Sequence, residues 1–195
     1  MASMDRTGGA EGNELLTIAI GAVLICLLVA EGITILGIGS LLGPHMFIGM
    51  ALIPPVLLKL ASTGYRFVRY YTHADAYRAK GAPLLPLRLM APVLVASTIA
   101  VFASGVALLL LGHSSDTLLF LHKASFVLWG AVFGIHFLAY LPRLLRSLRA
   151  DWTATRRHAV GGVDLRAMLV TASVGGGGAL AASVLPTIEA WHSAP

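Results

Sequence analysis

Five long apolar stretches, each nearly free of Asp, Glu, Lys and Arg, decide what this chain can fold into. They cover about 15–42, 44–65, 87–111, 117–141 and 165–185. A helix needs about 20 apolar residues to cross the hydrocarbon core of a bilayer, whereas a barrel strand needs only about 9–11. Only helices and closed barrels satisfy their backbone in lipid, and these stretches are too long for strands. The expected fold is therefore an all-α, polytopic transmembrane bundle with about five spans. Composition agrees, because only 12% of the residues are charged, against about 25% in an ordinary soluble domain. The 195 residues then divide into an N-terminal segment (1–14), a four-helix membrane core (15–147), a basic loop (148–164), a fifth span (165–187) and a short tail (188–195).

Lys and Arg set the expected orientation. The loop after the second span carries Arg66, Arg69, Arg78, Lys80 and Arg88, and the loop after the fourth carries Arg143, Arg146, Arg149, Arg156, Arg157 and Arg166. The connections at Gly43-Pro44 and 112–116 hold none. Cytoplasmic loops carry the excess of Lys and Arg, so both basic loops and the N-terminus are expected in the cytoplasm, with the C-terminus outside the plasma membrane. The net charge of +5 is then a topology signal, and no nucleic-acid partner is expected. The stretch from Arg143 to Arg157 can form a basic interfacial helix with Leu144, Leu145, Leu148 and Trp152 on its apolar side, but its plainer reading is a solvated loop drawn to anionic lipid. The first apolar run lacks a small-residue cleavage site and is too long for a signal peptide, so it is expected to stay in the mature chain. The lone Cys26 cannot pair within the chain and reads as a small hydrophobe. The chain holds no phosphate-binding loop, nucleophile motif or Cys-rich iron–sulfur pattern.

Ionisable side chains inside hydrocarbon are costly and mark function. Here they are Glu31, His45, Lys59, His122 and His136, with His113 at an interface. His73, His158 and His192 fall in loops or the tail and read as surface residues. His122 and His136 lie fourteen residues apart on the fourth span, about 21 Å along a helix and within roughly 40° of the same face. His45 and Lys59 repeat that spacing on the second span, which runs in the same direction. His45 thus matches His122 in depth, and Lys59 matches His136. Imidazole is a strong axial ligand of haem iron, and bundle cofactor sites are built from facing helices. The expected site is one haem b between His45 and His122. Gly49, Gly105 and Gly130 would make room for the macrocycle. A second site at His136 would need an unusual partner such as Lys59, or a five-coordinate iron.

The pattern of His45, with Leu121-His122-Lys123 through Trp129 to His136-Phe137, resembles the bacterial membrane-bound b-type cytochromes of the four-helix kind. These include the membrane subunits of formate dehydrogenase, nickel–iron hydrogenase and nitrate reductase. The resemblance covers spans one to four. It implies an electron-transfer or anchor subunit of an oxidoreductase, a redox partner subunit, and electron exchange with menaquinone or ubiquinone. At Lys59 the chain departs from the two-haem pattern, where the fourth histidine would stand. Some relatives hold a quinone oxygen with Lys or His, and this implies a quinone-contact role for Lys59 and His136.

Other readings of the same residues stay open. Lys59 can snorkel to headgroups. Glu31 can pair with a histidine, relay protons or simply hydrogen-bond within the bundle. Gly130 and Gly134 can pack within the bundle or form a dimer face. Arg66 can anchor the span or hold a propionate. The glycines 175–178 allow close helix contact. The histidines would instead be packing groups in a small transporter subunit or an assembly factor, a reading to which the Pro54-Pro55 and Gly175–178 interruptions belong. A proton-coupled role for Glu31, Lys59 and His136 is a third reading.

Overall fold

The computed structural model describes residues 8–81, 85–112, 115–151 and 160–193. They form seven helices: α1 (Gly9–Leu36), α2 (Ile38–Tyr71), α3 (Asp75–Arg78), α4 (Leu85–Leu111), α5 (Asp116–Asp151), α6 (Val163–Ser183) and α7 (Leu185–Ser193). No strand occurs among the described residues. Five of the helices are long and apolar enough to cross a membrane, and the chain is an all-α, multi-pass bundle as its sequence predicts. Its outward faces carry large apolar side chains such as Leu36, Phe120, Val127 and Leu138, which lipid rather than water would cover.

Two expected boundaries move. The first reversal falls at Gly37, not at Gly43-Pro44. The α2 backbone begins at Ile38 and bends at Leu41 (φ −111°, ψ 19°) before continuing through Pro44. Proline has no N–H to give the carbonyl four residues earlier and its ring crowds that carbonyl, so the bend three residues before Pro44 has a local cause. The basic stretch expected as a loop from Arg143 is helical as far as Asp151. Residues 152–159, with His158, and residues 113–114, with His113, lie outside the described residues.

The architecture is two helical hairpins and a buttress. α1 packs along α2, and α4 along α5. The hairpins meet mainly through a light α2–α4 contact, while α6 packs along the free side of α2. One apolar cluster, Ile20, Leu24 and Leu52 with Phe102 against it, seals α1 to α2. Another, Met50, Leu109, Ala181 and Ile188, joins α2, α4, α6 and α7. There Trp191 Nε1 donates to the Leu109 carbonyl at 3.1 Å, which ties the last helix to the end of α4.

The α2–α6 contact has a specific chemical basis. Pro54 and Pro55 lie inside α2, and Pro55 leaves the Ala51 carbonyl without its helical donor. Gly177 is buried on α6 with the Ala51 carbonyl where its Cβ would stand. A bare glycine lets the backbones meet at this carbonyl. Its neighbours Gly175, Gly176 and Gly178 face open space, so one glycine of the four makes the close contact.

Polar and aromatic contacts tie the described part of the α2–α4 connection, as far as Gly81, to the helices. Glu14 pairs with Lys80. The Arg88 guanidinium lies 4.9 Å from the Tyr71 ring centre and that of Arg69 5.8 Å from Tyr77, cation–π distances.

Candidate functional site

Between the hairpins lies a long cavity of about 860 Å³ lined by α1, α2, α4 and α5. That is in the upper range of small-molecule and cofactor sites. Its walls are mainly apolar, and its ionisable groups gather at two levels. His45, His122 and Glu31 line one end, and Lys59, His136, Arg66 and Lys80 line the other.

At the first level the two histidines come together, as their matched depths predict. Their ring centroids are 6.3 Å apart, with ring planes at 72°. Metal–imidazole bonds are about 2.0 Å; adding about 1.1 Å from nitrogen to ring centre on each side places the centroids of two opposed ligands about 6.2 Å apart. The observed spacing matches that of two imidazoles on one metal, and also falls in the range of an edge-on ring contact. Each ring can turn about its own metal–nitrogen axis, so the 72° angle is compatible with that fit.

Hydrogen bonds orient both rings. The Val101 carbonyl lies 3.1 Å from His122 Nδ1, and Ser104 Oγ also lies 3.1 Å away. A carbonyl only accepts, so Nδ1 of His122 carries the proton. His45 Nδ1 lies 2.9 Å from Glu31 Oε1 and donates to that carboxylate. Thr34 Oγ1, buried, donates to the Glu31 backbone carbonyl at 2.6 Å and lies 3.3 Å from Oε2 and 3.2 Å from His45 Nδ1. With the protons on Nδ1, each Nε2 keeps its lone pair. Among the described residues neither Nε2 has a hydrogen-bond partner. Metal-ligating histidines are oriented in this way, through the ring nitrogen that does not bind the metal.

The glycines need correcting. Gly105 leaves room for the His122 imidazole, whose Cε1 lies 3.1 Å from where a Cβ would sit, and Gly49 faces the Glu31 carboxylate at 3.5 Å. Both line the cavity, where they seat the His122 imidazole and the carboxylate that pairs with His45. Gly130 does not line it, and a Cβ there would meet nothing within 4 Å. The same holds for Gly134, so this Gly-xxx-Gly pair makes no close contact within the bundle.

At the second level Lys59 does not snorkel. Its Nζ donates to the Thr17 carbonyl at 2.6 Å, beside Gly21, whose missing side chain leaves space for the amine. Thr17 belongs to a polar clasp between α1 and α2. Its hydroxyl meets that of Ser62, Ser62 donates to Asn13 Oδ1 at 2.9 Å, and Asn13 Nδ2 donates to the Ser62 carbonyl at 3.2 Å. Across the cavity His136 Nδ1 is buried without a hydrogen-bond partner among the described residues, a cost unless something in the cavity meets it. Arg66 lines this end too, about 31 Å of helix from His45, too far to hold a propionate at the His45 level.

A wall of aromatic rings connects the levels. Phe126, Trp129, Phe133 and Phe137 stack in sequence along α5 with centroids 6.1, 4.7 and 5.8 Å apart. The sequence reading missed this wall, although the positions 122, 126, 129, 133, 136 and 140 follow one helical face. It also missed Thr34, one turn beyond Glu31, and Ser104, for which no pattern in the sequence marks a partner.

Comparison with protein-family models, with curated proteins and with solved structures found no match to this chain. The class that fold and site define is thus a multi-pass α-helical membrane protein with an intramembrane cavity and a paired-histidine site. The functional reading rests on that geometry.

Proposed function

We propose that this chain is a b-type cytochrome that carries electrons within the plasma membrane, between a quinone pool and a redox partner subunit. The observation that carries this reading is the imidazole pair, 6.3 Å between ring centres, with both Nδ1 atoms committed. Among the described residues no group of three or more His, Cys, Asp or Glu could hold a metal ion. Two imidazole nitrogens suit a metal that brings its own macrocycle, so the proposed cofactor is one haem b, which His45 and His122 would hold. Bound there, it supplies one-electron chemistry. The chain supplies the ligands, their orientation and an apolar surround that excludes water. The basic loops and the N-terminus are proposed to face the cytoplasm, with the C-terminus outside.

The second level is proposed to receive a menaquinone or ubiquinone ring. Lys59 has donor capacity beyond its bond to Thr17, His136 Nδ1 has no hydrogen-bond partner among the described residues, and the stacked aromatics offer a flat surface. In liposomes containing a reduced quinone analogue, the haem of the wild-type protein is expected to become reduced. Lys59→Met is expected to slow that step by about ten- to a hundredfold, the effect of losing a charge-assisted hydrogen bond of about 1.5–3 kcal/mol, with the absorption spectrum unchanged. Equal rates in the two proteins would contradict the role of Lys59, and no reduction in either would contradict the quinone partner.

A further inference from the structure

The two proposed axial ligands have unequal supports. His122 Nδ1 faces a neutral carbonyl and a hydroxyl. His45 Nδ1 faces a carboxylate at 2.9 Å whose own side chain is only 12% exposed. Buried in an apolar bundle, that carboxylate acts through a low local dielectric, where one charge exerts more than it would in water. Thr34 holds it in place from the next turn, and Gly49 leaves it room. Lys123 also lines this end of the cavity but is exposed.

We propose that Glu31 is a positioning residue whose carboxylate, hydrogen-bonded to His45, makes that histidine a strongly donating ligand and biases the bound metal towards its oxidised form, lowering its midpoint potential. This rests on the haem reading above. A carboxylate on the far nitrogen of a ligating histidine raises the basicity of that ligand. Its negative charge also favours the more positive metal state. Both effects act in the same direction. Neither has a counterpart on His122, whose partners are uncharged.

The test is a redox titration of the purified full chain, followed by absorbance, with haem content measured alongside. Glu31→Gln keeps the shape and a hydrogen-bond acceptor but removes the charge. At a fixed ambient potential its reduced-to-oxidised ratio is expected to rise about tenfold or more, and each tenfold is about 59 mV for one electron. Glu31→Asp, which keeps the charge, is expected to stay closer to the wild type than Glu31→Gln. Ser104→Ala, on the His122 side, is expected to change the ratio less than about twofold, since the Val101 carbonyl still accepts from the ring. If Glu31→Gln fails to retain haem, Thr34→Val carries the test, with an expected change of about threefold in the same direction from a loosened carboxylate. A haem-loaded Glu31→Gln within about twofold of the wild type would overturn the proposal while leaving haem ligation intact. A wild-type protein without haem would overturn the ligation reading itself, a result distinguishable before any titration.

Discussion

Replacing His122 with Ala is expected to leave a folded protein that has lost its haem, whereas replacing His45 with Ala is expected to damage both the haem site and the fold. The difference follows from what each imidazole leaves behind. Without His122, Ser104 still donates to the Ala100 and Val101 carbonyls at 2.6 and 3.1 Å, so no polar group is stranded. Without His45, the Glu31 carboxylate loses the Nδ1–H that donates to it inside an apolar bundle. Removing such a donor costs about 1–3 kcal/mol. Haem content, measured by pyridine extraction against protein mass, is expected to fall about tenfold or more in both variants, in line with the loss of a ligand or its support. Yield and thermal stability are expected to fall only for His45→Ala. His136→Ala is expected to keep its haem, because His136 lines the other end of the cavity. Full haem content in His122→Ala would contradict the assignment of that ligand.

The second large effect is expected at Gly177. In Gly177→Leu the new side chain would start where the Ala51 carbonyl already stands, and neither backbone can give way without separating α2 from α6. Overpacking of this kind costs about 1–3 kcal/mol or more. For a chain of this size each kcal/mol moves the melting temperature by about 2–4 °C, so a drop of about 6–12 °C in detergent is expected at the upper end of that range. Gly176→Leu and Gly178→Leu, directed into open space, are expected to change it by about 2 °C or less, as surface substitutions usually do. Equal losses at all three positions would mean that helix flexibility, not the contact with Ala51, gives the glycine run its importance.

The sequence carried the fold further than the site. Hydropathy and length identify all five membrane helices, because lipid enforces a pattern that no local detail can hide. In the sequence Gly43-Pro44 looks like a stronger break than Gly37. Pro44 instead fits within a helix that has already bent at Leu41. The charge of the basic stretch after Leu141 suggests a loop, yet charge alone does not end a helix, and α5 continues to Asp151. Histidine spacing predicted the meeting of His45 and His122, since matched depth on two spans is a property of helix rise alone. Which atom of which neighbour orients each ring was not legible. The bond from His122 to Val101 crosses from α5 to a backbone carbonyl of α4, and no residue type advertises a carbonyl. Small size alone makes Gly49, Gly105 and Gly130 equal candidates for space beside a macrocycle, but helix rotation decides what a glycine faces, and of these three only the first two line the cavity.

The measurement that tests the haem assignment most directly is the haem-to-protein ratio of the purified full chain, produced with ample haem supply, together with its reduced-minus-oxidised spectrum. The expected result is one haem b per chain with the low-spin spectrum of two histidine ligands. A folded, colourless preparation would contradict it.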